Sequence, residues 1–344
     1  MDYLELARAD DCHIHLRDGP FLSRTVPDIA RFCGRAIVMP NLVPPIKTAA
    51  DAQAYRDRIL AHVPAGVDFD PKMTLYLCDD TTPSEVAEAA KSPHIIGYKW
   101  YPRGATTHAD WGVSDPNKLH AVFEAMTRHG LVLLVHGEVT DVDVDVFDRE
   151  AIFIDRYLAN IRRQHPELKI VLEHITTEQA VDFVLSQPHH TAATITAHHL
   201  WYNRNAMFQG GLQPHHYCLP VLKRKQHQER LQAAVRSGDA RFFMGSDSAP
   251  HTRNKKEACI GCAGIYTGFA LLPYYAEIFE RIGALPALAD FAHKHGADFY
   301  GWPKATGKIV LEKKTWVVPD HLTYGDETLI PFLANQPLTW QLKD

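Results

Sequence analysis

Leu131-Val-Leu-Leu-Val-His136 is a short, almost uninterrupted apolar run closed by a histidine. Seven further runs of the same kind lie along the chain: Asp11–Leu16, Arg35–Met39, Lys72–Cys78, Ile95–Trp100, Lys169–His174, Thr191–Thr196 and Arg241–Gly245. Their near-continuous apolar, β-branched character suits strands buried on both faces of a parallel sheet. Helix-like stretches separate most of them: Ala49–His62, Thr82–Lys91, Asp115–His129, Asp148–Gln164, Thr176–Ser186 and His227–Ser237. Thr81-Thr-Pro-Ser-Glu85 leads into one of these, with proline near its first turn. Eight strand–helix units in about 250 residues predict an α/β fold, a (β/α)8 barrel. The alternative is an open doubly wound sheet, but no Gly-x-Gly-x-x-Gly turn follows any strand, which weakens its dinucleotide-binding version. Ala270–Arg281 and Leu285–His295 read as two more helices. The expectation is one domain over residues 1–344, with a core at about 10–295. Residues 296–344 would form a short irregular extension with short strands, able to cap the barrel; Pro303, Pro319, Pro331 and Pro337 break it up.

Composition bounds the function. With 344 residues the chain can bury a full core without disulfides, and its six cysteines are too sparse for a disulfide framework, which suits a reducing, cytoplasmic compartment. The net charge of −5 argues against a generally basic nucleic-acid binder. No apolar run approaches the ~20 residues of a membrane span, and the acidic Met1–Asp11 segment does not read as a secretory signal. The 21 histidines stand out, and their positions decide what they mean.

In a barrel enzyme the chemistry sits where strands end. The residues closing these runs are His13 and His15, Asn41 just past the second run, Lys99, His136, His174, His198 with His199 nearby, and Asp247; the third run offers only Cys78 and Asp79. Strand side chains alternate faces, so His13 and His15 point the same way and two imidazoles can converge on one metal ion. A lone His-x-His is as readily a pair of half-exposed edge histidines; His136, His174 and Asp247 in matching places tip the reading to a metal site. Lys99 cannot ligate as an ammonium and becomes an oxygen ligand only as a carbamate. Asp247, in Gly245-Ser-Asp-Ser-Ala-Pro-His251, can ligate a metal and shuttle a proton, or merely cap a helix. Cys259-Ile-Gly-Cys262 lacks a second cysteine pair and reads as chance. Lys223-Arg-Lys225 and Lys255-Lys256 read as solvated. In the doublets His189-His190, His198-His199 and His215-His216, neighbouring side chains diverge, so each should supply at most one residue to a site.

These residues together resemble the signature of the amidohydrolase superfamily: His-x-His on the first strand, Lys on the fourth, His on the fifth and sixth, Asp on the eighth. His13-Ile-His-Leu-Arg-Asp18, Val38-Met-Pro-Asn41, Leu134-Val-His-Gly-Glu-Val139, Glu173-His-Ile-Thr-Thr177 and Gly245–His251 are similar to the dihydroorotase family, in its shorter class II bacterial form. The resemblance runs from about Asp10 to Phe332. Cys12 stands where relatives often carry Trp, Ala197-His198 stands where Pro-Gln is expected, and the tail diverges; Ala197 and His198 could alter the rim of the site.

The resemblance implies two zinc ions. His13, His15 and Asp247 would hold the more buried ion and His136 and His174 the other, with N6-carboxylated Lys99 bridging them. It implies reversible closure of N-carbamoyl-L-aspartate to L-dihydroorotate with loss of water, in pyrimidine synthesis, by a hydroxide shared between the metals and with Asp247 as proton shuttle. Arg17 would grip the substrate carboxylate, with Asn41 and His251 as partners. Leu219 and Ala263 correspond to backbone contacts to the ring. Thr106 and Thr107 match a pair that closes over the substrate, so the Pro102–Gly112 loop would be a lid. The family suggests a cytoplasmic homodimer with a small-molecule substrate and no nucleic-acid or membrane partner. Two rivals remain: a hydantoinase-like cyclic amidohydrolase and a non-catalytic scaffold paralogue. The first usually carries a β-sandwich built from both termini, for which the ten or so residues before the first strand look too few. The second tends to lose metal ligands, and all six positions are filled.

Overall fold

The computed structural model describes residues 2–343. β1 (Tyr3–Ala7) lies outside a sheet of eight parallel strands: β2 (Ala9–Ile14), β3 (Cys33–Val38), β4 (Asp70–Leu77), β5 (Ile95–Trp100), β6 (Val132–Val135), β7 (Ile170–Leu172), β8 (Thr191–Ile195) and β9 (Phe242–Met244). They pair in chain order, each with the next. The ring closes just beyond β9, where Asp247 N donates to the His13 carbonyl (2.9 Å) and His15 N donates to the Ser248 carbonyl (3.1 Å). The eight apolar runs are thus the eight strands of a barrel. Several strands stop one or two residues earlier than the apolar pattern does, so His136, His174 and Asp247 lie just past their strands.

Both faces of the sheet are buried, which is why the runs are apolar throughout rather than alternating. Along β6, Val132 and Leu134 join an inner cluster with Cys12, Ile37, Val171 and Phe243. Leu133 and Val135 instead pack into the larger core shared with the surrounding helices. Phe299, Tyr300 and Trp302 pack against the inner cluster, and the Phe299 carbonyl accepts from Lys169 at the start of β7. The end of the last helix (His295–Tyr300) and Trp302 just past it therefore plug the end of the barrel opposite the histidines. Gly245 is required by close approach: a Cβ there would lie 2.6 Å from Thr194 Cβ and 3.1 Å from His13 Cβ.

The helices follow their expected signals. Thr48 and Thr82 cap Ala49–Leu60 and Pro83–Ala89, each with a reciprocal carboxylate three residues on. Asp148–Gln164 is two α-helical pieces joined by a π-helical turn at Ile154–Leu158. A helix over Leu22–Ala30 has no counterpart in the sequence reading; Pro27 inside it obscures the pattern.

The termini differ from expectation. β10 (Lys308–Val317) and β13 (Pro337–Leu342) pair antiparallel, and β1 pairs with the other edge of β10 from Tyr3↔Glu312 to Ala7↔Lys308. β11 (Leu322–Tyr324) and β12 (Glu327–Leu329) form a separate hairpin. Five residues therefore suffice for both termini to build one small sheet. The irregular tail is more regular than its prolines suggest, because Pro337 sits at the start of β13 and Pro319 and Pro331 fall between strands.

Candidate metal centre and active-site cavity

The end of the barrel at which β2 to β9 terminate brings His13, His15, Lys99, His136, His174 and Asp247 together. The backbones of His174 and Asp247 (φ 42° and 44°) and of Arg17 (φ 59°) are left-handed, a strain of about 1–3 kcal/mol each that the packed strand ends must hold. His13 Nε2 lies 3.3 Å from His15 Nε2 and 3.3 Å from Asp247 Oδ1, and His15 Nε2 lies 3.1 Å from the same oxygen. Ligand atoms on a tetrahedral zinc ion, at about 2.0–2.1 Å from it, are about 3.4 Å apart. This triangle has that size.

The electrostatics also favour a cation. Burial works against a proton on His13, but the Glu173 and Asp247 carboxylates outweigh it and raise its pKa to about 9. Burial dominates at His15 and lowers it to about 4. Asp247 stays well below the usual carboxylate range: burial opposes ionisation, and the two histidines overcome it.

Neighbouring groups orient the imidazoles. His15 Nδ1 lies 2.8 Å from Asn41 Oδ1, and His13 Nδ1 lies 3.0 Å from Glu173 Oε2, so both rings turn Nε2 toward Asp247. His136 is held the other way round, Nε2 to Glu138 Oε2 at 2.8 Å, which leaves Nδ1 for a ligand. His174 packs edge-on between His13 and His136, 4.9 Å from each ring centre, with Nδ1 unpartnered and buried. Such outer partners fix tautomer and ring angle in metal sites. Lys99 is fully buried and contacts Glu173 through Nζ; burial lowers its pKa, which favours the neutral amine. Glu173 and Glu138 had no role assigned from sequence, although each sits one or two residues from a strand-end histidine.

A narrow cavity opens on this cluster. Arg17, Asn41, Thr106, Thr107, Leu219 and Ala263 all line it, together with Tyr101. His251 lies outside it, in a wider adjoining groove, where its Nε2 is 3.0 Å from Arg17 Nη2. Burial and the Arg17 charge push the His251 pKa down to about 2, so the neutral ring accepts from the guanidinium. Arg17 lies past the end of β2 at Ile14. The left-handed turn at residue 17, and not strand alternation, places its side chain.

The Pro102–Gly112 loop lies folded over the cavity. Asn41 Nδ2 donates to the Thr107 carbonyl (3.1 Å), Tyr76 donates to the His108 carbonyl (3.0 Å), and Arg103 N donates to the Val113 carbonyl (3.1 Å). Asn41 thus ties a histidine of the cluster to the loop.

His198 is fully buried and absent from the cavity lining, so it does not form the rim. The doublet expectation also fails at His198-His199. Both lie in the helical turn Ala197–Trp201 rather than a strand, with ring centres 4.5 Å apart, and both approach Cys218. Cys259 is exposed and Cys262 half-buried, and neither is disulfide-bonded.

Residues 11–330 match the amidohydrolase family. A dihydroorotase of Alcanivorax borkumensis is 54% identical over 341 residues, 99% of each chain. The crystal structure of a dihydroorotase from Campylobacter jejuni superposes with a TM-score of 0.92 at 34% identity, covering 100% of this chain and 98% of that one. A dihydroorotase of Saccharomyces cerevisiae, in complex with 5-fluoroorotic acid, gives a TM-score of 0.92 at 33% identity, covering 100% and 99%.

Proposed function

The chain belongs to the amidohydrolase family, as a dihydroorotase acting on cyclic amides, and from that premise we propose how its residues divide the reversible closure of N-carbamoyl-L-aspartate to L-dihydroorotate. The observation that carries the assignment is the triangle of His13, His15 and Asp247 beside His136, His174 and Lys99, in a cavity that Arg17 also lines. Zinc ions at His13–His15–Asp247 and at His136–His174, with carboxylated Lys99 between them, would supply the Lewis acidity that polarises the ring carbonyl and makes water nucleophilic near neutral pH.

The chain's own groups do the rest. Arg17 offers its guanidinium to the substrate carboxylate, and His251 holds that guanidinium in place. Asp247, held well below the usual carboxylate range, takes a proton during attack on the ring carbonyl and returns it to the leaving ring nitrogen; synthesis runs the same steps backwards. Thr106 and Thr107 supply hydroxyls to the substrate's polar edge while the loop excludes water. Asn41, Leu219 and Ala263 shape the ring pocket, Leu219 and Ala263 through their backbones. The lowered pKa of Lys99 favours reaction of its neutral amine with CO2, releasing one proton as the carbamate forms. Family precedent supports a homodimer in the cytoplasm, which sedimentation of the purified protein tests.

The deciding experiment assays dihydroorotate hydrolysis before and after chelation and after zinc is restored, with metal content measured throughout. Activity should vanish and return with the metal. ¹³C NMR of zinc-loaded protein in ¹³C-bicarbonate should show a carbamate signal that Lys99→Ala abolishes. Full activity in metal-free protein would overturn the reading.

A further inference from the structure

We propose that His198, His199 and Cys218 form a further metal site, separate from the catalytic cluster, that takes one borderline-soft divalent cation of the Zn2+ class.

The three side chains are 0%, 3% and 1% exposed, and their candidate ligand atoms all lie within 4.8 Å of one another. Cys218 Sγ is 3.8 Å from His199 Nε2. A thiolate and an imidazole on one tetrahedral zinc, at about 2.3 and 2.0–2.1 Å, sit about 3.6 Å apart, so a shift of a few tenths of an ångström completes the pair. His198 supplies the independent observation. Both its ring nitrogens are buried and neither has a hydrogen-bond partner. Each such nitrogen forfeits its interaction with water and gains nothing in exchange, a cost that a metal bond at one of them removes.

His199 is already oriented as metal-bound histidines are. Its Nδ1 is 2.7 Å from Thr196 Oγ1, and that oxygen also accepts from the His199 backbone N–H at 3.1 Å. Without a cation, Nε2–H donates to the Pro220 carbonyl at 3.0 Å and Nδ1 accepts from the Thr196 hydroxyl. With one, the ring switches tautomer: Nε2 binds the metal and Nδ1–H donates to Thr196 Oγ1. Cys218 loses its thiol proton to solvent as the sulfur–metal bond forms, so one proton leaves per cation bound and no redox change occurs. The Pro220 carbonyl, 3.3 Å from Cys218 Sγ, is placed to close the shell. Lys223 and Lys256 are in electrostatic reach of Cys218 and oppose a dication there, whereas the new thiolate and Asp247 offset them. Sulfur with two imidazoles selects zinc-like cations over magnesium or calcium.

None of the six residues of the catalytic cluster is a cysteine, so sulfur ligation reports on this site apart from the active one. The test substitutes Co2+ into the purified, metal-depleted protein and reads the near-ultraviolet thiolate-to-cobalt charge-transfer band, alongside zinc content per chain. The wild type should show the band and bind one zinc more than Cys218→Ser or His198→Gln. The band should survive in the Cys259→Ser/Cys262→Ser double variant. Circular dichroism confirms that each variant is folded, and His198→Gln keeps the test sound should Cys218→Ser fail to fold. A cobalt-loaded wild type with no such band, or a band lost with Cys259 and Cys262 instead of Cys218, overturns the proposal.

Discussion

Replacing Arg17 with methionine removes the one guanidinium that lines the active-site cavity while leaving the metal cluster's own contacts intact. Arg17 Nε donates to the Pro250 carbonyl at 3.3 Å and Nη2 meets His251 Nε2 at 3.0 Å. Among the described residues no side chain or carbonyl engages Nη1, so that nitrogen is available to a substrate carboxylate. A charge-assisted hydrogen bond is worth ~1.5–3 kcal/mol, and each ~1.4 kcal/mol is tenfold, so kcat/KM for dihydroorotate should fall about 10- to 150-fold. The assay compares dihydroorotate with dihydrouracil, the same ring without the carboxylate, and measures metal content in the same preparation. The variant should keep its metal, lose most of its preference for dihydroorotate and turn dihydrouracil over as the wild type does. Unchanged kinetics on dihydroorotate, or an equal loss on both substrates, would show that the carboxylate is bound elsewhere.

Other expectations follow from neighbouring groups. Asp247→Asn, in metal-replete protein, should lose kcat far more than substrate affinity, because an amide accepts no proton; near-normal kcat with metal retained would remove Asp247 from proton transfer. The Thr106→Val/Thr107→Val double variant should keep its metal and lose much of kcat, and protease cleavage within Pro102–Gly112 should slow when ligand binds the wild type; normal turnover would refute the lid role. Lys256, whose Nζ donates to the Tyr217 and Gly264 carbonyls at 2.7 and 2.8 Å, has its pKa lowered by burial from 10.5 to about 8. The folded state binds this proton less tightly than the unfolded chain, so its contribution to stability grows as pH rises from about 8 to above 10.5 and is lost as pH falls through 8. The 2.5-unit gap corresponds to up to about 3 kcal/mol. Urea unfolding at several pH values should show that rise in the wild type relative to Lys256→Met; parallel profiles for the two proteins would refute it.

The barrel and the chemical types at its mouth are properties of the sequence alone. Burial on both faces demands continuous apolar runs, and those runs are local, so the eight strands and most of the polar residues just past them could be read without coordinates. The same locality explains what could not be read. Pairing of Tyr3–Ala7 with Lys308–Val317 joins residues about three hundred positions apart, and neither segment has enough apolar periodicity to announce the other. The partners that orient His13 and His15, Glu173 for the first and Asn41 for the second, come from different strands or loops. Only ring closure between β2 and β9 sets Asp247 against His13 and His15. Strand alternation cannot place Arg17, because a left-handed turn intervenes. It also wrongly separated His198 from His199, since a helical turn replaces the strand and both rings meet Cys218. Periodicity along the chain determines which residues are buried and which element they form. Distances between ligand atoms exist only once remote strands have closed into a ring, and those distances decided the site.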